Sequence, residues 1–473
     1  MTQPAPFRCS LIGQESLLIQ CGDLLRARGH HVAVVATTNE SIVRWAVERG
    51  ISVVGVTSAA ELCAGLRAHP CEFLFSIGNL RVLPTAVLDI PTCAAINFHD
   101  GPLPVYGGLH APAWALMDGR DEHGVTWHLM RPAVDAGDVL VQRMFPIAAD
   151  DTSFTLSLKC HEAGASSFAT LVEGLENGSM VPRPHTLDRA TYHGRADTPP
   201  RRGVLRWSRP AAELHALARA LDFGSRRANP LALPKLLLPD GTVVLAPALE
   251  RVEAVQVPAP GTVLSADADG LRVVVVDGAV RLARLLTVDG VPLPMEELVR
   301  RHGLYPGIVL PEPDAELIER VEAANARLCG HERYWVRRLA ALEPLALPSP
   351  LLHAAEPPVT APAPREVAMA VASADEAVTL VLAWMHRLTG RARFDVAWRD
   401  DVVRSAVAGA EGWFAGMVPL HVDLPAGADL AGAREATRDA LAAARAHGSH
   451  ARSVFAPTPS MPSNVAKSCG CCS

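Results

Sequence analysis

The sequence predicts an α/β protein built on a doubly wound, mostly parallel sheet, followed by a β-rich segment and then an α+β segment. Three observations carry that prediction. Over residues 7–77, apolar runs of five to seven residues alternate with amphipathic stretches of helical period, the pattern of parallel strands joined by right-handed crossovers. Between residues 203 and 300 the pattern shifts to short β-branched runs separated by Gly, Asp and Pro. From Pro311 onward, helical stretches return around a strand-like run.

The alternation assigns strands to Phe7–Gly13, His31–Ala36, Ile51–Val56 and Phe73–Ile77, and helices to Ser16–Arg28, Glu40–Arg49 and Ala59–Ala68. In the first helix, Leu17, Leu18, Cys21, Leu24 and Leu25 fall on one face. The first turn, Gly13-Gln-Glu-Ser16, lacks the glycine-rich fingerprint of a dinucleotide fold, which excludes NAD binding. Thr92–Phe98, Val125–Met130 and Val139–Phe145 read as further strands, and Thr152–Asn177 as a long helix that closes a first domain over residues 1–185. Pro182–Pro200, rich in Pro, Arg and His, reads as a linker.

Composition narrows the function classes. A chain of 473 residues accommodates about three domains at roughly 150 residues each. A formal charge of -6 leaves no electrostatic footprint for nucleic acid. No apolar run reaches the roughly 20 residues that span a bilayer. Met1–Phe7 has no basic segment ahead of an apolar core. Seven of the ten cysteines (Cys9, Cys21, Cys63, Cys71, Cys93, Cys160 and Cys329) stand singly, most of them among apolar neighbours, as reduced thiols do. The expected location is the cytoplasm, without membrane or nucleic-acid partners.

Chemistry concentrates between Ile96 and Leu140. Asp100-Gly-Pro-Leu-Pro104 can continue neither helix nor strand, so Asn97 and His99 sit at the end of the strand before it. Residues two apart on a strand share a face, which sets the Asn97 amide beside the His99 imidazole. Asp135-Ala-Gly-Asp138 forms the turn between the next two strands, with Gly137 giving the freedom a tight turn needs. An amide and an imidazolium can donate to the oxyanion of a tetrahedral intermediate, each such donor contributing about 3 kcal/mol. A nearby carboxylate favours the charged imidazole and can relay a proton. If the substrate brings an amine, acyl transfer needs no serine or cysteine nucleophile.

Asn97-Phe-His99, the Gly101-Pro102-Leu103-Pro104 loop, Gly107-Gly108 and Val134-Asp135-Ala-Gly-Asp138 resemble the catalytic signature of the 10-formyltetrahydrofolate-dependent formyltransferases. That family includes methionyl-tRNA formyltransferase, glycinamide ribonucleotide transformylase, amino-sugar formyltransferases and the formylation domains that open some nonribosomal peptide synthetases. The resemblance implies catalytic places for Asn97, His99 and Asp135. It implies a folate pocket between the loop carrying Ile77, Gly78, Asn79, Leu80, Val82 and Leu83 and the turn carrying Gly137 and Asp138, and a substrate loop of Gly101, Pro102, Leu103, Pro104 and Gly108. The family usually has Ser-Leu-Leu-Pro where this chain has Gly101-Pro102-Leu103-Pro104, so a loop hydroxyl is missing. Val105 and Gly107 replace the arginines that flank this loop in the tRNA enzyme, which argues against tRNA as acceptor. His110 and His128 lie near the site, and His128, alternating with apolar residues, reads as packed or surface-facing.

Two weaker resemblances follow. Trp207-Ser-Arg-Pro210 and the helix to Leu221 resemble the start of the carboxyl-terminal domain of methionyl-tRNA formyltransferase, which implies a small OB-like β-barrel over residues 203–300. Strand residues such as Val244, Val273 and Val275 give it no basic, aromatic-studded face, so it is expected to act as scaffold or docking module. Residues 311–458, through His331-Glu-Arg-Tyr-Trp335, Leu342–Pro348 and Met417–Leu424, are similar to pieces of nonribosomal peptide synthetase condensation domains. The His-His-x-x-x-Asp-Gly signature of condensation is absent, so a truncated docking lobe is expected, with Pro357–Pro364 as a linker. The tail, 459–473, carries Cys469, Cys471 and Cys472, low-ranking metal ligands that fall short of a closed four-ligand zinc site or else targets of modification.

The expected function is formyl transfer from 10-formyltetrahydrofolate to an amine of a small molecule or carrier-tethered amino acid, in nonribosomal-peptide or siderophore-like metabolism, with a biosynthetic partner protein. Hydrolysis of the formyl donor and a catalytically degenerate scaffold are the alternatives.

Overall fold

The computed structural model describes residues 6–184, 190–224, 229–253, 258–345, 371–425 and 427–452. The linker expected at Pro357–Pro364 and the thiols Cys469, Cys471 and Cys472 lie outside the described residues. The chain forms two compact units, one of residues 1–197 and 215–224, the other of 198–214 and 225–473.

The first unit is built on β1 (Arg8–Gly13), α1 (Leu17–Ala27), β2 (His31–Ala36), α2 (Glu40–Glu48), β3 (Ser52–Val54), α3 (Ala59–Arg67), β4 (Phe73–Ile77), α4 (Thr85–Leu88) and β5 (Ala94–His99). It continues through β6 (Gly107–Gly108), α5 (Ala111–Met117), β7 (Glu122–Leu129), β8 (Val139–Pro146), α6 (Ser153–Glu176) and β9 (Tyr192–His193). Seven strands form one sheet in the order β3-β2-β1-β4-β5-β7-β8. The first five are parallel, and β7 and β8 add antiparallel to them. The expected doubly wound sheet is present, closed on one side by a hairpin.

Local signals explain the elements. Asn39 and Ser58 cap α2 and α3 through their side chains, and Thr152 and Thr155 form a reciprocal cap at the start of α6. Leu17, Leu18, Cys21 and Leu25 of α1 are buried against the sheet. Helix α6 covers the site-bearing strands. Its Phe168 meets Phe75 and Trp127 at ring separations of 5.2 and 4.8 Å, and Trp127 donates from Nε1 to Ser167 Oγ at 3.0 Å.

This packing sets the orientation of the chemistry. Phe98 lies 5.1 Å from Trp127 and fits over Gly164, where a Cβ would come within 2.7 Å of its ring. Burying an aromatic ring of this kind contributes on the order of 2 kcal/mol. With Phe98 pinned on the helix side, strand alternation turns Asn97 and His99 to the other face.

The second unit holds a six-stranded antiparallel sheet. Along the chain come α7 (Ala211–Ala220), which straddles the unit boundary, β10 (Lys235–Leu237), β11 (Val243–Val252), β12 (Val263–Asp267), β13 (Gly270–Val275), β14 (Gly278–Thr287) and β15 (Pro292–Leu293). The strand expected over Ala259–Leu264 begins only at Val263, because Pro260 and the positive-φ Gly261 interrupt the ladder before it. Beyond lie α8 (Met295–His302), α9 (Ala315–Leu328), α10 (Glu332–Ala340), α11 (Ala374–Thr389), β16 (Arg393–Trp398), α12 (Asp401–Ala406), β17 (Val418–Asp423) and α13 (Leu430–His447). Strands β16 and β17 pair antiparallel, and Trp335, Phe394, Leu420, Val422 and Leu441 share a core around them.

Among the described residues no helix is long and apolar enough to cross a membrane.

Candidate active site

The pairing of β5 with β7 builds half the site. Its register places Asn97 opposite His128, Phe98 opposite Trp127 and His99 opposite Thr126. Phe98 and Trp127 face the core together, so Asn97, His99, Thr126 and His128 share the opposite face. The Asn97 side-chain NH2 lies 3.2 Å from His128 Nε2. His128 donates from Nδ1 to the Leu129 carbonyl at 2.9 Å, and its Nε2 lies between the Asn97 amide and the Asp135 carboxylate. Of the two readings of His128, packed or surface-facing, the structure has the first: it is buried, and it faces Asn97 and Asp135. Its alternation with Thr126 on one strand was the sequence signal, and it gained meaning only once β7 was set in register against Asn97 and His99.

Loops build the other half. Because β7 runs against β5, the turn after Leu129 starts at the far end of β5 and folds back over the sheet face. Asp135 thereby reaches both histidines, with Oδ2 3.7 Å from His99 Nδ1 and Oδ1 3.5 Å from His128 Nε2. The Gly108 amide donates to Asp135 Oδ2 at 2.8 Å. Asp135 adopts φ 50°, a left-handed conformation uncommon outside glycine and short polar residues. Gly137 is obligatory in this turn, since a Cβ there would lie 1.7 Å from the Leu129 carbonyl oxygen.

The electrostatics follow from these contacts. Burial raises the Asp135 carboxyl, but the His128 hydrogen bond, the His99 charge and the Gly108 amide outweigh it and bring the pKa down to about 2. His99 is 5 % exposed and donates from Nε2 to the Tyr106 carbonyl at 2.7 Å. Nδ1 therefore faces the chemistry, with Asp135 at 3.7 Å and Asp100 at 3.9 Å, and a proton there lies between two carboxylates.

The loop from Gly101 to Pro104 is held from the sheet. Thr126 donates its hydroxyl to the Gly101 carbonyl at 2.8 Å and accepts from the Leu103 amide at 3.1 Å. Gln142 donates to the Leu103 carbonyl at 2.8 Å and to Thr126 Oγ1 at 3.1 Å. A Cβ on Gly101 would come within 2.7 Å of His99 Nε2. Sequence reasoning missed Thr126 and Gln142, because a polar side chain in a strand has no motif until its neighbour is known.

The remaining residues of the expected pocket divide. Ile77 and Leu83 are buried, Gly78 takes φ 60°, and Asn79 spends its side chain on its own loop, donating to Ser76 and the Arg81 carbonyl and accepting from the Arg81 amide. Leu80 and Val82 stand out at 73 % and 72 % exposure, an apolar surface suited to a flat ring system. Asp138 accepts from the Leu129 amide through its carbonyl, and its carboxylate lies 3.7 Å from Arg131. His110 occupies the N-cap position of α5 with φ 63° and sets its ring 5.7 Å from that of Phe223; burial pushes its imidazole down.

An amide donor, an imidazole and an ionised carboxylate converge on one sheet face, and no serine or cysteine side chain bonds to His99 among the described residues. The site defined in this way is that of a transferase whose acceptor supplies the nucleophile. Residues 25–172 match the family model described as formyl transferase. A methionyl-tRNA formyltransferase from Pseudomonas savastanoi pv. phaseolicola is 35 % identical over 255 residues, 53 % of this chain and 77 % of that protein. Its counterpart in Pseudomonas putida is 36 % identical over 254 residues, 53 % of this chain and 78 % of the relative. This chain belongs to the formyltransferase family and is an enzyme of that class. Among solved structures, an N-formyltransferase from Helicobacter canadensis crystallised with folinic acid and dTDP-3-aminofucose is similar at 17 % identity and a TM-score of 0.47, over 58 % of this chain and 98 % of that one.

Proposed function

We propose that this protein transfers the formyl group of 10-formyltetrahydrofolate to an amine carried by a small molecule or a carrier-tethered amino acid, in nonribosomal-peptide or siderophore-like metabolism in the cytoplasm. The observation that carries the reading is the convergence of Asn97, His99 and Asp135, within a chain of this family. The acceptor amine attacks the formyl carbon, and the Asn97 amide with the His99 Nδ1 proton receive the negative charge that develops on oxygen. Asp135, whose carboxyl pKa is held down to about 2, faces that imidazole and takes part in moving the amine proton through water to N10 of the donor. The tetrahedral intermediate collapses, the bond between the formyl carbon and N10 breaks, and tetrahydrofolate leaves. Leu80, Val82 and the turn at Gly137 and Asp138 accommodate the folate.

The acceptor follows from what surrounds the loop. The relatives act on methionyl-tRNA by name, but Val105 and Gly107 flank Tyr106 here in place of guanidinium groups, and the whole chain carries a net charge of -6. A small or tethered amine fits that surface better than a polyanion. We read the six-stranded sheet of the second unit as the OB-like module and the α9–α13 region as a condensation-like docking lobe for a biosynthetic partner.

The test supplies purified full-length protein with 10-formyltetrahydrofolate and, in separate reactions, free amino acids, hydroxamate precursors, carrier-bound aminoacyl thioesters and methionyl-tRNA. Formylated free or tethered amine by mass spectrometry is the expected product. Formylation of methionyl-tRNA alone would refute the acceptor assignment, and formate release without any acceptor would make the protein a hydrolase.

A further inference from the structure

Tyr192 and His193, expected to belong to a linker, form β9 and pair in parallel with Gly107 and Gly108 of β6. Four hydrogen bonds join this short strand to the loop that follows His99. The Thr191 hydroxyl accepts from the Tyr106 amide at 2.7 Å, the Thr191 carbonyl from the Gly107 amide at 2.9 Å, and the His193 carbonyl from the Leu109 amide at 2.8 Å. In return the Thr191 amide donates to the Pro104 carbonyl at 3.2 Å. The His193 ring lies flat on Trp114 at 4.0 Å and 8°. Gly108 at φ 91° admits the strand, since a Cβ there would sit 2.1 Å from the His193 carbonyl oxygen.

The clamped loop is the one whose backbone holds two catalytic side chains. The Tyr106 carbonyl fixes His99 Nε2, and the Gly108 amide fixes Asp135 Oδ2. These loop atoms alternate along the chain with the amides and carbonyls that the strand engages, so a shift of the strand moves His99 and Asp135 together. We propose that Thr191–His193 is a positioning strap of the active site, with Thr191 as its key side chain, setting His99 and Asp135 for catalysis without touching substrate. The proposal rests on the formyl-transfer reading for its kinetic consequence, though not for the clamp itself.

Thr191→Val keeps the side-chain shape and removes the acceptor for the Tyr106 amide, while Thr191→Ser restores a hydroxyl. Amide exchange over residues 105–109 and the kinetics of formyl transfer are measured on the full chain of wild type and both variants. The strap predicts exchange at least tenfold faster in Thr191→Val. It also predicts kcat reduced about tenfold with the KM for 10-formyltetrahydrofolate within twofold, and recovery of both in Thr191→Ser. Unchanged exchange overturns the clamp. Faster exchange with unchanged kcat, or a serine variant no better than valine, overturns the positioning role. If the wild type transfers no formyl group to any amine, the functional reading fails, and the exchange data still decide whether the strap holds the loop.

Discussion

The two halves of the active site are built by different means. Asn97, His99, Thr126 and His128 stand on paired strands, where the burial of Phe98 and Trp127 against α6 fixes which way each side chain points. Asp135 and the Gly101–Gly108 loop are placed instead by hydrogen bonds between loop backbone and groups distant in the chain, and by glycines where no Cβ fits. A strand-built half can lose a side chain and keep its frame, because the ladder and the core hold it. A loop-built half depends on a set of hydrogen bonds from Thr126, Gln142 and residues 191–193, so a change in one of those supports can displace several groups. Strand register makes the chemistry robust, and the loops make it adjustable.

The largest effect should come from removing the chemistry of either half. Asn97→Ala, His99→Ala and Asp135→Ala should each lower kcat/KM by roughly 10²–10³ or more, the range for losing one oxyanion donor. The strand variants Asn97→Ala and His99→Ala should keep a wild-type melting temperature, and thermal unfolding beside steady-state kinetics checks both statements. A wild-type rate in any of the three removes that residue from the mechanism.

Gly137→Ala sharpens the contrast. A methyl group there meets the Leu129 carbonyl, so the turn must open and carry Asp135 with it, lowering stability and activity together. Denaturant unfolding should show a loss of a few kcal/mol, in the range of backbone strain. Retained stability would mean that the turn tolerates a Cβ and that Asp135 is not held by it.

Milder changes test the supports. His128→Ala frees the Asn97 amide and removes one partner of Asp135, and Thr126→Val releases the Gly101 and Leu103 backbone. Each removes several contacts and should reduce kcat at least about tenfold, equivalent to about 1.4 kcal/mol, while leaving the fold intact. Equal kcat in either variant would mean that the catalytic groups keep their positions without that support.

A last effect, confined to acid, lies in stability against pH. The Asp135 pKa falls from 3.8 to about 2 on folding, so its ionised form stabilises the folded state by roughly 2 kcal/mol. That contribution is fully present above about pH 4 and is lost as pH falls through about 2. Unfolding of wild type and Asp135→Asn should therefore show a gap that is constant from pH 7 to 5 and narrows below 4; a gap that widens on acidification would contradict the assigned partners.

Legibility in the sequence follows the same division. The parallel sheet was readable because β1, β2 and β4 are apolar on both faces, and Asn97 with His99 because a strand makes residues two apart neighbours. His128, Thr126 and Gln142 were not, since their roles exist only across the β5–β7–β8 register. The strap was hidden more deeply. Its contacts are largely main-chain, Tyr192 and His193 join a strand of two residues, and a Pro- and Arg-rich surrounding carries no periodicity. Gly101 shows the converse: the missing hydroxyl was visible in the sequence, while its closeness to the His99 ring was not.

In the proposed reaction His99, held by Asp135, drives transfer of a formyl group to an amine. Its most direct test follows tetrahydrofolate release from 10-formyltetrahydrofolate by wild type and by His99→Ala, with and without amino-acid acceptors. Release that requires an acceptor in the wild type and falls by at least a hundredfold in the variant is the predicted result. Equal release by the two proteins, or release in the wild type that no acceptor changes, would contradict it.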